Sequence, residues 1–475
     1  MPGKSNFVDY EPLSNSRRAR APEGEEFGVY KPVGVESGSE PIRHTADDRS
    51  KEVSEVNAAK VMHANSTSLT RTALRRGHGL SFIGLFLFTM LVFFRPYEFS
   101  PWLAWLSKGA LITAIATLVF FVPTQLGLEN RLSVRTREVN LVLLLLLLCL
   151  ISVPFALDKL QAWNSFVDFL KVVVMFVVMV NVIRTEKRLK ALLLLILVAT
   201  VILSVAAVND YRMGNLALGG QRIEGAIGSL FDNPNDLALH LVTFFPIVIG
   251  LALGSRYFAA KTIYLLVAVC ILGGTVVTFS RAGFLGLIFV FGTLAWKLGP
   301  KNRFLVGVIA VVLITLFLIL APGAYRQRVT TTGDESAQAR TGELKRSIFL
   351  AIRNPVFGVG MGNFVLFSDK EHATHNAYTQ VASEIGLPAT IVYVLFLLAA
   401  FQRVRRMPSP YEVEKRKRAV PYLAVGLQAS LVGYMVVSFF ASVAYLWYVY
   451  YLVGYAVCLS RLYYDSQVRQ KVVVE

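Results

Sequence analysis

The chain has 475 residues, 55% of them of hydrophobic type, and 48 Lys and Arg against 31 Asp and Glu give it a net charge of +17. Runs such as Leu141 to Val153 cannot face water, and there is no pattern of short alternating strands, so a soluble globular protein and a porin-like barrel are both excluded. The positive excess belongs to loops on the cytoplasmic side of a membrane and not to a nucleic-acid surface.

Residues 1–68 are polar and rich in Ser, Glu, Arg, Pro and Gly, the composition of a disordered tail, here cytoplasmic. The first apolar run starts near Leu80, so no signal peptide is expected. Asp48–Ala64 carries a weak amphipathic pattern, and His44 and His63 read as solvated. Apolar segments follow at 80–94, 102–122, 139–156, 166–182, 191–208, 237–254, 262–280, 282–296, 304–321, 386–401, 420–439 and 441–460. The second is interrupted by Lys108-Gly109. Cys149, Cys270 and Cys458 all lie inside such runs and read as small buried hydrophobes, not as a disulfide or metal framework.

The loops orient these segments. Basic residues follow every even segment, from Arg131, Arg135 and Arg137 to Arg403–Arg418, whereas the short odd loops carry few. By the positive-inside rule both termini are cytoplasmic. The expected fold is an all-α polytopic membrane protein of about twelve transmembrane helices, with a membrane domain over 69–465 and a cytoplasmic tail at 466–475. Two outer loops are long, 209–236 and 322–375. The second, between helices 9 and 10, is a periplasmic loop with room for one or two helices of its own.

The chain is organised around Asp369–Phe401. A helix from Ala389 to Phe401 rises only about 20 Å against roughly 30 Å of hydrocarbon. Asn376–Ile385 is therefore expected to supply the missing depth, which puts His375 near the outer boundary. Arg281 falls at the same height, about 30 Å from Lys261 and about 24 Å from Lys297 along a helix. A cation there faces protein, water or an anion, or else snorkels to lipid phosphate. Arg222 lies between glycines (Gly219-Gly220 and Gly225) and precedes Phe231-Asp232-Asn233-Pro234-Asn235-Asp236. In that knot Asp232 or Asn233 is a candidate N-cap with Pro234 in the first turn. Capping does not account for Asn235, Asp236 and His240 extending into the membrane, and Asp236 with His240 reads as a structural pair before a metal site. His375 is a candidate general base; the plainer readings are an exposed histidine beside an Asn376 cap, with His372 as a rival. Gly358-Val359-Gly360-Met361-Gly362 lacks the strand and helix of a dinucleotide site and reads as a tight turn after Asn354-Pro355. No P-loop, zinc spacing or Ser/His/Asp arrangement is present.

In order along the chain these residues are similar to the O-antigen ligase and polymerase family of membrane glycosyltransferases (WaaL/Wzy-like). The markers are Arg222 to Asp236, then Ser280-Arg281-Ala282-Gly283, then Arg340. Asn354-Pro355 and Gly358-x-Gly360-x-Gly362-Asn363-Phe364 follow, with His375-Asn376-x-Tyr378 and Glu384-x-Gly386-Leu387 closing the set. The resemblance covers roughly 80–460. It implies an enzyme of the bacterial inner membrane that takes a glycan from an undecaprenyl-diphosphate carrier on the periplasmic face. The acceptor is a hydroxyl on lipid A core, a growing polysaccharide or a protein. It implies inverting transfer with neither metal nor cofactor: Arg222 and Arg281 hold the diphosphate and His375 takes the acceptor proton. Arg340, Asn376, Asn235 and Asp232 are implied as substrate-binding supports. A polysaccharide or lipid-carrier transporter, or flippase, is the alternative of a different class. It calls for ionisable groups near the midplane, where Lys171 and Lys108 are the exceptions to an otherwise uncharged set of helix centres. A non-catalytic scaffold of an export complex is the third reading.

Overall fold

The computed structural model describes residues 77–99, 101–215, 223, 233–299, 335–368, 373–414 and 418–474, with isolated positions between 304 and 319. Chain contacts divide the protein into Met1–Ser66 and Thr67–Glu475. The tail and the Asp48–Ala64 segment lie outside the described residues, as do Arg222, Asp232 and most of 304–321.

Every regular element among the described residues is helical. The first group is α1 (Gly79–Phe94), α2 (Gly109–Glu129), α3 (Arg137–Ser152), α4 (Lys159–Val182) and α5 (Glu186–Met213). Then come α6 (Pro234–Gly254), α7 (Phe258–Val277) and α8 (Arg281–Lys297). The last group is α9 (Glu335–Arg353), α10 (Ala377–Glu384), α11 (Leu387–Arg405), α12 (Ala419–Val437) and α13 (Trp447–Val474). Eight helices among the described residues are long and apolar enough to cross a membrane. The apolar α1, 16 residues long, falls short of that length. Lys108-Gly109 marks the change from a 3-10 turn over Pro101–Lys108 to α2. The long 322–375 stretch does hold a helix, α9.

Helix starts follow side-chain capping chemistry. Asp158 Oδ1 accepts from the Leu160 and Gln161 amides, and Thr185 Oγ1 accepts from Arg188. Helices α6 and α12 form the centre, buried along most of their length. They approach backbone to backbone because two glycines face the contact: a Cβ at Gly250 would stand 2.7 Å from the Tyr422 carbonyl, and one at Gly426 would stand 2.5 Å from that of Pro246. Small residues serve this purpose where lipid removes the hydrophobic drive between helices.

The basic residues that orient the sequence gather at one end of the bundle and hold it together. Arg403 of α11 binds Glu138 of α3 through two bonds of 2.7 Å, and Glu138 is 1% exposed. Arg184 pairs with Glu129, Arg461 donates to the Val180 carbonyl and Arg188 to that of Gly77. The chain stays helical through Gln402-Arg403-Val404-Arg405, so α11 has 19 residues, about 28 Å of helix, long and apolar enough to cross a membrane by itself.

Candidate functional site

At the opposite end of the bundle the starts of α6 and α8 are bonded together. Asn233 caps α6 by accepting from the Asn235 amide at 2.9 Å, with Pro234 in the first turn. Between the two capping candidates in the sequence, the described residues show Asn233 in that role. Asn235 is 2% exposed, and its Oδ1 accepts from Ser280 Oγ at 2.8 Å. Ser280 Oγ in turn accepts from the Gly283 amide and caps α8. This chain of bonds leaves Arg281, the first residue of α8, exposed at the helix start. Asn235 thus acts within the structure as the brace of the Arg281 turn. His240, one turn deeper than Asp236, is fully buried. It bonds Thr200 Oγ1 at 3.0 Å and packs against Phe93, Phe244 and Tyr448.

His375 is half-buried and takes a left-handed backbone with φ 52. Its amide donates to Ser442 Oγ at 2.8 Å, and that hydroxyl bonds Thr374 Oγ1 at 3.0 Å. Asn376 is 7% exposed and caps α10, its Oδ1 accepting from Tyr378 (2.9 Å) and Thr379 (3.0 Å). Its oxygen is therefore committed to the backbone, which is the plainer of the two sequence readings. The Tyr378 hydroxyl donates to the Met435 carbonyl of α12 at 2.9 Å. On another side of the same α12 end, a Cβ at Gly286 of α8 would meet Val437. Gly286 is only about 8 Å along α8 from Arg281. The end of α12 is thus the post from which α8 and α10 present Arg281 and His375 at one end of the bundle.

Beside them the glycine run forms a knot. The Val359 amide donates to the Ser383 carbonyl (2.8 Å), Gly360 to Glu384 (2.9 Å) and Leu387 to Pro355 (2.8 Å). Asn363 Nδ2 donates to the Asp158 carbonyl at 3.1 Å, and Phe357 stacks on Phe155. The run therefore fastens the end of α10 to the α3–α4 turn. Glu384 lies inside the knot, 4% exposed. The Gly362 and Phe364 amides and the Tyr445 hydroxyl surround its carboxyl, although neither Oε2 nor that hydroxyl completes a well-aligned bond. Burial pushes its pKa up to about 7. The folded state thus holds a proton that the unfolded chain releases near pH 4.5, and stability falls as pH rises from there through about 7. Glu384→Gln is expected to remove this slope. At pH 8 in detergent it should melt higher than wild type, at pH 5 within error of it. Using the difference between the two proteins cancels His78, whose pKa burial lowers to about 4 and which gives the opposite slope below pH 6.5.

Arg340 is half-buried on α9, where the neighbouring Glu343 pairs with Arg346 at 3.1 Å and accepts from Ser368 at 3.0 Å. Arg222 and Asp232 lie outside the described residues. Three residues of this end were not singled out from sequence as site candidates: Ser280, Ser442 and Glu384. Ser280 and Glu384 lie within Ser280-Arg281-Ala282-Gly283 and Glu384-x-Gly386-Leu387, whereas Ser442 has no signal beyond its place between two apolar runs. Among curated proteins none matches the chain. Residues 266–394, which include Arg281, Arg340, His375 and Asn376 but not Asn235, match the family model described as O-antigen ligase.

Proposed function

We propose that the protein transfers a glycan from an undecaprenyl-diphosphate carrier to an acceptor hydroxyl at the periplasmic face of the bacterial inner membrane, with inversion and without a metal. What supports the reading is that α8, which begins at Arg281, and α10, which follows His375, both pack on the same end of α12, and that both residues lie inside the matched stretch. The diphosphate is already a good leaving group, and what it needs as it departs is charge stabilisation. Arg281 supplies a planar, permanently charged guanidinium for its oxygens. The acceptor hydroxyl needs a base at the moment it attacks, and His375 takes that proton. Arg222 is assigned as the second phosphate ligand, and Arg340 as a contact to phosphate or glycan. Asp232 and Asn376 support the substrate, Asn376 through the α10 start that it caps and that follows His375.

The test is transfer from a purified carrier-linked glycan in proteoliposomes containing EDTA, comparing wild type with Arg281→Ala. Wild type is expected to transfer, and the variant to lose about 10²–10³-fold. The length distribution of the product separates a ligase from a polymerase. Passage of labelled carrier lipid across the bilayer without transfer to any acceptor would overturn the reading in favour of a transporter.

A further inference from the structure

The basic end of the bundle carries an apolar groove that the transfer chemistry does not use. It has a volume of about 600 Å³ and runs between α8, α11 and α12. Phe289, Gly292 and Trp296 line one side, Phe401 another, and Gln428 and Val432 the third. Phe289 is 48% exposed and Trp296 78%, whereas Gln428 is 3% exposed, so the wall that α12 contributes is the deep one. From Lys297 to Ile288, which bound the groove along α8, the helix rises about 14 Å. One leaflet of a hydrocarbon core is roughly 15 Å deep.

Lys297 and Arg405 line the same groove where α8 and α11 end. The Glu412 carboxylate already accepts from the Ser409 amide at 2.9 Å. Two cations held together above an apolar slot one leaflet deep complement a lipid with a negative headgroup. The chain segment that follows α8 offers no such complement. Residues 304–321 contain no Asp or Glu, and their one hydroxyl, Thr315, donates to the Val311 carbonyl.

We infer that this groove seats one phospholipid with an anionic headgroup, its phosphate between Lys297 and Arg405 and an acyl chain along Phe289 and Phe401. The site is separate from the carrier site proposed above, at the other end of the bundle, and does not depend on that reading.

Native mass spectrometry of the full-length protein, titrated with phosphatidylglycerol and with phosphatidylcholine of the same acyl chains, tests it. Wild type is expected to prefer phosphatidylglycerol by about 30-fold, the combined effect of two cations near one headgroup. In the double variant Lys297→Gln and Arg405→Gln the preference should fall to about twofold or less, through a larger loss of phosphatidylglycerol than of phosphatidylcholine binding. Gly292→Phe, at a position that lines the groove and where an added Cβ meets nothing within 4 Å, should weaken both lipids. Absence of a headgroup preference in wild type, or its survival in the double variant, would overturn the proposal. So would a disulfide between Gly292→Cys and a cysteine placed in 304–321 that forms equally with and without lipid, because the chain's own segment would then fill the groove.

Discussion

Replacing His375 with asparagine is expected to lower glycan transfer by about 10²–10⁴-fold, the usual contribution of a positioned proton acceptor. Asparagine is the right substitution because the backbone at this position has φ 52. Asparagine enters the left-handed region far more readily than most residues, so the turn and its Ser442 bond survive while the base is lost. His375→Ala should lose as much activity and also some stability, since a Cβ residue without a local hydrogen-bonding side chain pays about 1–2 kcal/mol there. Initial transfer rates, measured beside melting curves, separate the two effects. Near-wild-type transfer by the asparagine variant would remove His375 from the reaction and leave it as the residue that turns the chain into α10.

Gly386→Ala is expected to be strongly damaging although Gly386 is not one of the reacting groups. Gly386 has φ 105, and an added Cβ would stand 2.4 Å from the Val356 carbonyl oxygen, which belongs to backbone and cannot swing aside. Strain of this kind costs about 1–3 kcal/mol before the clash is counted. The Leu387 to Pro355 bond crosses the same point, so the knot is expected to open. The readout is limited proteolysis across 354–368, faster in the variant, with transfer lost in parallel because the end of α10 is no longer fixed. Gly342→Ala is the control with the opposite sign. Its Cβ meets nothing within 4 Å, and it lies inside α9, so it should add up to about 1 kcal/mol through helix propensity. Equal behaviour of the two variants would mean that the knot has no mechanical role.

Much of this architecture was legible in one dimension, for reasons that act locally. A run such as Leu141 to Val153 has to be a helix in lipid, because nothing else satisfies its backbone. Asn233 before Pro234, and Asn376 before an amphipathic turn, announce helix starts through side-chain chemistry that reaches two or three residues. The basic loops announce one end of the bundle because charge avoids hydrocarbon whatever its partners. What required the tertiary structure are contacts between residues far apart in the chain. The match of Glu138 to Arg403, 265 positions away, ties α3 to α11 within the basic stretch where the apolar run ends. The bond from Ser280 to Asn235 decides that a polar residue inside a membrane helix braces the Arg281 turn. The Gly358–Gly362 run looked like a free turn because its partners, Ser383, Glu384 and Asp158, carry no mark of that pairing in the sequence. Side-chain type and spacing determine which segments become helices and where they begin. Which residues stand beside Arg281 and His375 is decided by the packing of α6, α8, α10 and α12, since only close packing brings distant positions within the 3 Å reach of a hydrogen bond.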